Sequence, residues 1–375
     1  MLLTAYNLPN YILQKSADKR FSALSNFFSS GNLCLIENVD QNNPRNILLK
    51  CTAGEQSFVF KQPKYLTNGG TWLITNEYLF YEAFPKLKVK AQQYSFDEHY
   101  KVLVLPYLHS LTALDEVIGC ATKLQTYARQ AATSLALLHQ SLNIKDNPNV
   151  KKFIQANCAY SVSSYGNFIS LLQRGYKRPQ LLDEVVFPAF ASIAPTRAIL
   201  HNFLNNETLF QSINDLSNKW SENHLIHGDL KIENLLQEQD DDLLKFIDFE
   251  NVTQGDNAWD FACFLESVLY QLPLRRDATA EKRKESLMKR FFFFAVYLNT
   301  YCEQLDVNET EHRDFLYRVL KFWAIRKLEK FRLYDGNFNY LLKSLDVIKN
   351  LFTKTNFYIE QIYDSSERRF EIFEF

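Results

Sequence analysis

In His227-Gly228-Asp229-Leu230-Lys231-Ile232-Glu233-Asn234-Leu235-Leu236, followed by Phe246-Ile247-Asp248-Phe249-Glu250, short apolar runs alternate with oxygen-bearing side chains. Asp229, Asn234 and Asp248 fall on loops beside apolar strands. A strand end fixes position while the loop aims a polar group outward. Taken singly, each residue has an ordinary reading, because a lone loop Asp is usually a turn or cap residue. The ordered set, with strands between its members, is far more specific. Mg²⁺ is a hard cation that takes oxygen ligands and keeps waters and phosphates in its shell. One carboxylate and one amide suffice to hold it, and a further carboxylate can accept the proton of an attacking hydroxyl.

Outward from this stretch the chain changes character. Before it, Leu33 to Ile36, Ile47 to Cys51, Ser57 to Lys61 and Val102 to Leu105 read as short strands. Around it, one strand flanks Leu235-Leu236 and another spans Leu243 to Ile247. Leu124, Tyr127, Ala131, Leu135, Leu138 and Leu142 recur at steps of three and four, the period of one helical face. Leu216 to Trp220 ends another helix, and Asp260 to Leu272, Lys284 to Leu305 and Phe315 to Arg332 read as helices. Asp256 is read as a helix N-cap. The expected architecture is α+β and two-lobed, β-rich in front and helical behind, with a cleft between the lobes.

Composition narrows the function classes. A chain of 375 residues exceeds what one core usually serves, which favours two lobes. Against 31 Phe and 20 Tyr stand only 10 Gly and 10 Pro, so long disorder is not expected. The net charge of −1 predicts no polyionic partner, and no basic stripe or aromatic RNA motif supports a nucleic-acid partner. Cys34, Cys51, Cys120, Cys158, Cys263 and Cys302 form neither a CxxC pair nor a zinc pattern, and read as free thiols in a reducing cytoplasm. No leader is evident in Met1 to Lys15, and Phe291 to Leu298 is too short to span a bilayer, so no membrane role is expected. The oligomeric state is left open.

His227 to Leu236 resembles the catalytic loop of the aminoglycoside phosphotransferase and choline kinase family, within the protein-kinase-like fold. Gly255-Asp256-Asn257-Ala258-Trp259-Asp260-Phe261-Ala262 resembles the stretch that follows that family's metal-binding aspartate, and Leu137-Leu138-His139 the end of its long helix. The resemblance is strong from about Leu124 to Leu265 and faint before Leu33 and after Leu305. It implies an ATP- and Mg-dependent kinase with an alcohol group as acceptor. Asp229 would be the catalytic base or hydroxyl-orienting residue, and Asn234 and Asp248 would hold Mg²⁺. His227 would brace the loop and Asp260 would bond its backbone.

The resemblance extends in parts toward the N-terminus. Residues 1–108 would form the nucleotide-binding lobe, ending in a hinge, and residues 109–375 the helical catalytic and acceptor-binding lobe. Lys61 ends an apolar strand, as does the family lysine that contacts the α- and β-phosphates. Its ion-pair partner would be Glu77, on a helix with Leu79, Phe80 and Phe84, or failing that Glu82. Leu103 to Leu108 resembles the hinge, where adenine would be read by the Pro106 carbonyl and the Leu108 N–H. One departure stands out: the phosphate-covering stretch Glu37 to Asn46 has no glycine, although Asn tolerates positive φ and Arg45 adds charge.

Lys231 matches a lysine that holds the γ-phosphate in Ser/Thr protein kinases, so it is read as catalytic beside Asp229. It suits transfer to an alcohol on a small molecule or on a peptide Ser/Thr, the latter as in family members that act in ribosomal-peptide maturation. A strongly acidic aminoglycoside site is less favoured by the net charge of −1. The alternative is a pseudokinase acting as a binding partner, for which the missing glycines argue and the intact Lys61, Asp229, Asn234 and Asp248 argue against.

Overall fold

A computed structural model describes residues 1–15, 18, 21, 35–39, 45–53, 56–65, 68–92, 95–107, 120–158, 194–237, 242–272, 279–330, 338–363 and 373. In chain order the described elements begin with α1 (Leu8–Lys15), β1 (Leu35–Asn38), β2 (Asn46–Ala53), β3 (Gln56–Pro63) and α2 (Asn68–Ala83). There follow β4 (Ser95–Asp97), β5 (Val102–Pro106), α3 (Ala121–Ser141), α4 (Pro148–Phe153), α5 (Ala194–Leu204) and α6 (Glu207–Asn218). Next come β6 (His224–Ile226), β7 (Leu235–Gln237), β8 (Leu244–Phe246), β9 (Thr253–Gly255) and α7 (Asn257–Gln271). The chain closes with α8 (Ala280–Gln304), α9 (Glu309–Lys330), α10 (Phe338–Thr353) and α11 (Thr355–Tyr363). The fold is α+β and protein-kinase-like. It divides into two compact units, one formed by Met1–Leu111 and Leu235–Val252, the other by Thr112–Asn234 and Thr253–Phe375.

The first unit is built on an antiparallel sheet in the order β1-β2-β3-β5-β4. Side chains alternate across a strand. On one face Phe58 and Phe60 of β3 join Leu49, Cys51, Val102 and Val104, covered by Leu3, Leu8, Tyr11 and Ile12 from the N-terminus. Gln62 shares that face and ties the N-terminus down, accepting from Leu3 N at 2.7 Å and donating to the Met1 carbonyl at 3.0 Å. Lys61, one residue out of step, therefore points to the opposite face. There α2 presents the buried stripe Ile74, Glu77, Phe80 and Tyr81, continued by Phe84 just past its end.

In the second unit α3 packs on α8, and α7 on α9. Ala128, Ala131, Ala132 and Ala136 of α3 are fully buried, and such small residues allow close approach to Phe293, Phe294, Tyr297 and Tyr301 of α8. From Asn257 to Glu266 every side chain of α7 is buried, as befits a central helix.

Several helices start earlier than their apolar period suggests, and each has a cap. Asp256 accepts from Ala258 N at 2.9 Å and starts α7. Thr279 caps α8. Asn308 and Glu311 bond each other's backbone N–H at 3.1 Å, a reciprocal capping box that starts α9 six residues ahead of Phe315. The strands β4, β6 and β9 carry only three residues each and have no periodic signal. Leu33 and Leu108, and residues 40–44 of the glycine-free stretch, lie outside the described residues.

Candidate active site

Lys61 of β3 is buried among carboxylates. Its Nζ lies 2.6 Å from Glu77 Oε2 and 3.0 Å from Glu250 Oε2, and it also pairs with Asp248 Oδ1. Burial opposes its charge, but Asp248, Glu77 and Glu250 more than offset that and hold its pKa well above the usual value. Burial in turn pushes the Glu77 carboxyl up, against the pull of Lys61. Glu77 is thus the α2 carboxylate that meets Lys61, whereas Glu82 lies on the exposed side of the helix. Leu79, expected on the buried stripe, is half-exposed, and Tyr81 takes that place.

Asp248 is aimed by its backbone and by its neighbour. It adopts the left-handed region (φ 67°, ψ 46°), which Asp tolerates better than bulkier residues. Phe249 is fully buried and stacks on Phe80 of α2 with centroids 4.0 Å apart, so the segment is anchored on one side while Asp248 turns to the other. Glu250 is a residue that sequence reasoning missed. It is only 5% exposed, receives Asn46 Nδ2 at 3.4 Å, and pairs with Arg45 Nη1 at 3.6 Å. Its signal is its spacing: two residues beyond Asp248 across a buried Phe.

Glu77, Asp248 and Glu250 can each offer an oxygen within 4.8 Å of the others. Three carboxylates against the Lys61 ammonium and the exposed Arg45 leave negative charge in excess, and an all-oxygen set suits a hard divalent cation. Pro106 closes β5, paired with Phe58, and Tyr107 N donates to the Ser57 carbonyl at 2.9 Å. Its expected partner Leu108 is among the residues not described.

In the second unit β6 and β9 pair and carry the loop that holds Asp229. A Cβ on Gly255 of β9 would lie 2.6 Å from Ile226 Cδ1 and Trp220 Cζ2, so those side chains would have to shift to admit one. Asp260 of α7 bonds the loop backbone, accepting from His227 N at 2.7 Å and Gly228 N at 2.9 Å. Gly228 has φ 83°, and its carbonyl accepts from Trp259 Nε1 at 3.0 Å. His227 is fully buried. Asn234 is also buried, and its Nδ2 donates to the Asp229 carbonyl at 3.2 Å.

The Asp229 side chain faces two cations. Arg326 Nη2 of α9 donates to Asp229 Oδ1 at 2.6 Å, and Lys231 Nζ lies 3.9 Å from Asp229 Oδ2. Arg326 Nη1 also reaches Glu329 Oε2 at 2.6 Å. Burial lowers the Arg326 pKa, but Cys263, Glu329 and Asp229 outweigh it and keep the guanidinium firmly charged. Sequence reasoning passed over Arg326. The available clue was the pair Arg326-Lys327 directly after the apolar run Phe322-Trp323-Ala324-Ile325. The chain thus gathers Lys61, Glu77 and Asp248 in the first unit, and Asp229, Lys231 and Asn234 in the second.

Several solved structures are similar to this chain. The streptomycin–ATP–APH(2")-IIa complex has a TM-score of 0.51 at 16% identity, covering 90% of this chain and 98% of that one. Amicoumacin kinase hAmiN in complex with AMP-PNP, Ca²⁺ and its antibiotic has a TM-score of 0.51 at 11% identity, covering 92% and 96%. Choline kinase LicA from Streptococcus pneumoniae has a TM-score of 0.47 at 16% identity, covering 89% and 98%. No curated protein sequence matches this chain significantly. The family model for choline/ethanolamine kinase matches residues 120–329, more than half of the chain and all of the Asp229 loop. On that match the chain belongs to the choline/ethanolamine kinase family, and it is a kinase that phosphorylates a small-molecule hydroxyl group.

Proposed function

We propose that the chain transfers the γ-phosphate of ATP, with Mg²⁺, to the hydroxyl of a small molecule. The observation that carries this reading is the buried Lys61 ammonium held by Glu77, Asp248 and Glu250. Such a cluster places one fixed positive charge for phosphate oxygens beside carboxylates for a divalent cation. Asp248 and Glu250 would hold the cation, with Asn234 in the family position of the amide ligand. Bound Mg²⁺ neutralises charge on the phosphate oxygens.

The rest is the work of this chain's side chains. Glu77 orients Lys61 toward the α- and β-phosphates, and the Pro106 carbonyl accepts from adenine. Asp229 accepts the acceptor hydroxyl's hydrogen bond and takes its proton late. A bond forms from that oxygen to the γ-phosphorus, the bond from phosphorus to the ADP oxygen breaks, and Lys231 steadies the γ-phosphate. The buried free thiols Cys51, Cys263 and Cys302 suit a reducing compartment such as the cytoplasm.

The test is Asp248→Ala. It should abolish turnover while far-ultraviolet circular dichroism and melting temperature stay near wild type. Near-normal phosphorylation by the folded variant at saturating Mg²⁺ would remove Asp248 from the metal site. Transfer to peptide Ser/Thr, which Lys231 also suits, is separated by including peptides in the acceptor screen.

A further inference from the structure

Lys321 of α9 is a charge inside an apolar stretch. From Val319 to Ile325 every other side chain is apolar and fully buried, and Lys321 itself is only 3% exposed. Its Nζ donates to Ser212 Oγ of α6 at 2.8 Å and to the Tyr317 hydroxyl. Ser212 gives its own proton to the Phe352 carbonyl at 3.2 Å, so toward Lys321 it only accepts. Both partners are neutral. Among the described residues no carboxylate pairs with Lys321, and Asp215 acts on it only at longer range. Burial lowers the Lys321 pKa to about 8, opposed by Asp215 and reinforced by Lys219. A buried ammonium is costly unless an anion compensates it.

Lys321 lines a cavity of about 630 Å³ together with Tyr317, Phe352, Lys354, Asn356 and Phe357, all in the second unit. Several donors meet there. An ammonium has three N–H groups, and two of those of Lys321 are taken. The Tyr317 hydroxyl accepts from Lys321 and keeps its own proton, since burial, Asp215 and Asp314 raise its pKa. The first N–H groups of α11 have no acceptor within their own helix, and Asn356 and Phe357 belong to that first turn. The surrounding charge is positive. Lys219 and Lys321 place Nζ 4.4 and 4.3 Å from the centre of the Tyr317 ring, and Lys354 is on the cavity wall. Asp215 offsets one of these three ammoniums, whereas Asp314 is paired with Arg318, so about two positive charges remain. A phosphate monoester matches them, with a charge approaching −2 at pH 7 and three acceptor oxygens. The cavity has room for more than a bare phosphate, and Phe352 and Phe357 supply apolar surface for an organic body.

We propose that this cavity binds a small organic phosphate monoester, with the phosphate held by Lys321, Tyr317 and the first turn of α11. Calorimetry on the full chain tests it with phenyl phosphate, inorganic phosphate and phenol, each titrated with and without saturating AMP-PNP and Mg²⁺. Phenyl phosphate should bind at one site in the presence of the nucleotide, more tightly than inorganic phosphate, and phenol should not bind. Lys321→Met should weaken phenyl phosphate binding by at least about tenfold, the worth of one hydrogen bond to a charged group. Tyr317→Phe, which removes a single hydroxyl, should weaken it by about tenfold as well.

Complete displacement of phenyl phosphate by the nucleotide overturns the proposal, and so does the absence of any binding. Binding of inorganic phosphate or phenol as tight as that of phenyl phosphate excludes a monoester site. A folded Lys321→Met with unchanged affinity removes its central residue, and if that variant does not fold, unchanged affinity in Tyr317→Phe decides the matter in the same way.

Discussion

Asp229 combines two demands that pull apart. In the proposed role its carboxylate accepts a proton, yet it is three-quarters buried and already accepts a hydrogen bond from Arg326 at 2.6 Å. Replacing the carboxylate with an amide keeps shape and removes the base. Asp229→Asn should therefore lose about 10²–10⁴-fold in single-turnover rate, with little change in MgATP affinity. Rate, nucleotide affinity and melting temperature on one preparation check this; a collapse of affinity with an unchanged transfer step would exclude the acceptor-side role. Lys61 and Glu77 touch at 2.6 Å in a buried cluster, so their substitutions should not add. Lys61→Met and Glu77→Gln are each expected to weaken MgATP binding. The double variant should be weakened by clearly less than the combined single effects, as a calorimetric double-mutant cycle would read. Strictly additive losses would mean that the pair does not act as a unit.

The position of these groups follows from how the elements carry them. On β3, Phe60 and Gln62 face the N-terminal cover, so Lys61 must face α2. On α2, Glu77 occupies the buried stripe with Ile74, Phe80 and Tyr81, and so meets it. The short segment after β8 is fixed against α2 by Phe249, while Asn76 Nδ2 bonds the Glu250 and Val252 carbonyls at 3.2 and 3.3 Å. Phe249→Ala would remove the stack on Phe80 and leave a cavity beneath Asp248. Truncation of a buried Phe costs about 3–5 kcal/mol. Denaturant unfolding should show a loss of that size, accompanied by a weaker Mg²⁺ dependence of turnover. A stability change with unaltered Mg²⁺ response would show that Phe249 does not position Asp248.

Acid sensitivity of the whole chain should arise in the second unit. His224 of β6 is held neutral: burial, then His139, Arg318 and Lys145, drive its pKa down to about 3, opposed only by Asp260. The unfolded chain binds the proton near pH 6.5, so between about 6.5 and 3 it holds more protons than the folded one. Stability is full above about pH 6.5 and falls as the pH drops through that window. One such group contributes a slope of up to about 1.4 kcal/mol per pH unit. Urea unfolding between pH 7 and 4 should show this decline, and His224→Gln should flatten it. An identical pH slope in the variant would assign the acid sensitivity to other groups.

Part of the proposed catalytic centre is local, and its geometry follows from neighbours along the chain. Asp229, Lys231 and Asn234 lie within six residues, and a 3₁₀ turn at Ile232–Asn234 brings Asn234 back to the Asp229 carbonyl through short-range geometry. The long helices likewise announce themselves by period, since an apolar face repeated over five turns has no strand equivalent. Strands of three residues, such as β6 and β9, have too few positions to show a period. They exist because a distant partner supplies the hydrogen bonds. The same limit explains Glu250 and Arg326. A charged side chain reads as solvated until packing buries it, and burial is set by contacts 189 residues apart for Lys61 with Glu250 and 97 apart for Arg326 with Asp229. Local pattern thus identifies which groups can do the chemistry, whereas long-range packing selects their charged partners, because electrostatic pairing depends on distance in space and not along the chain.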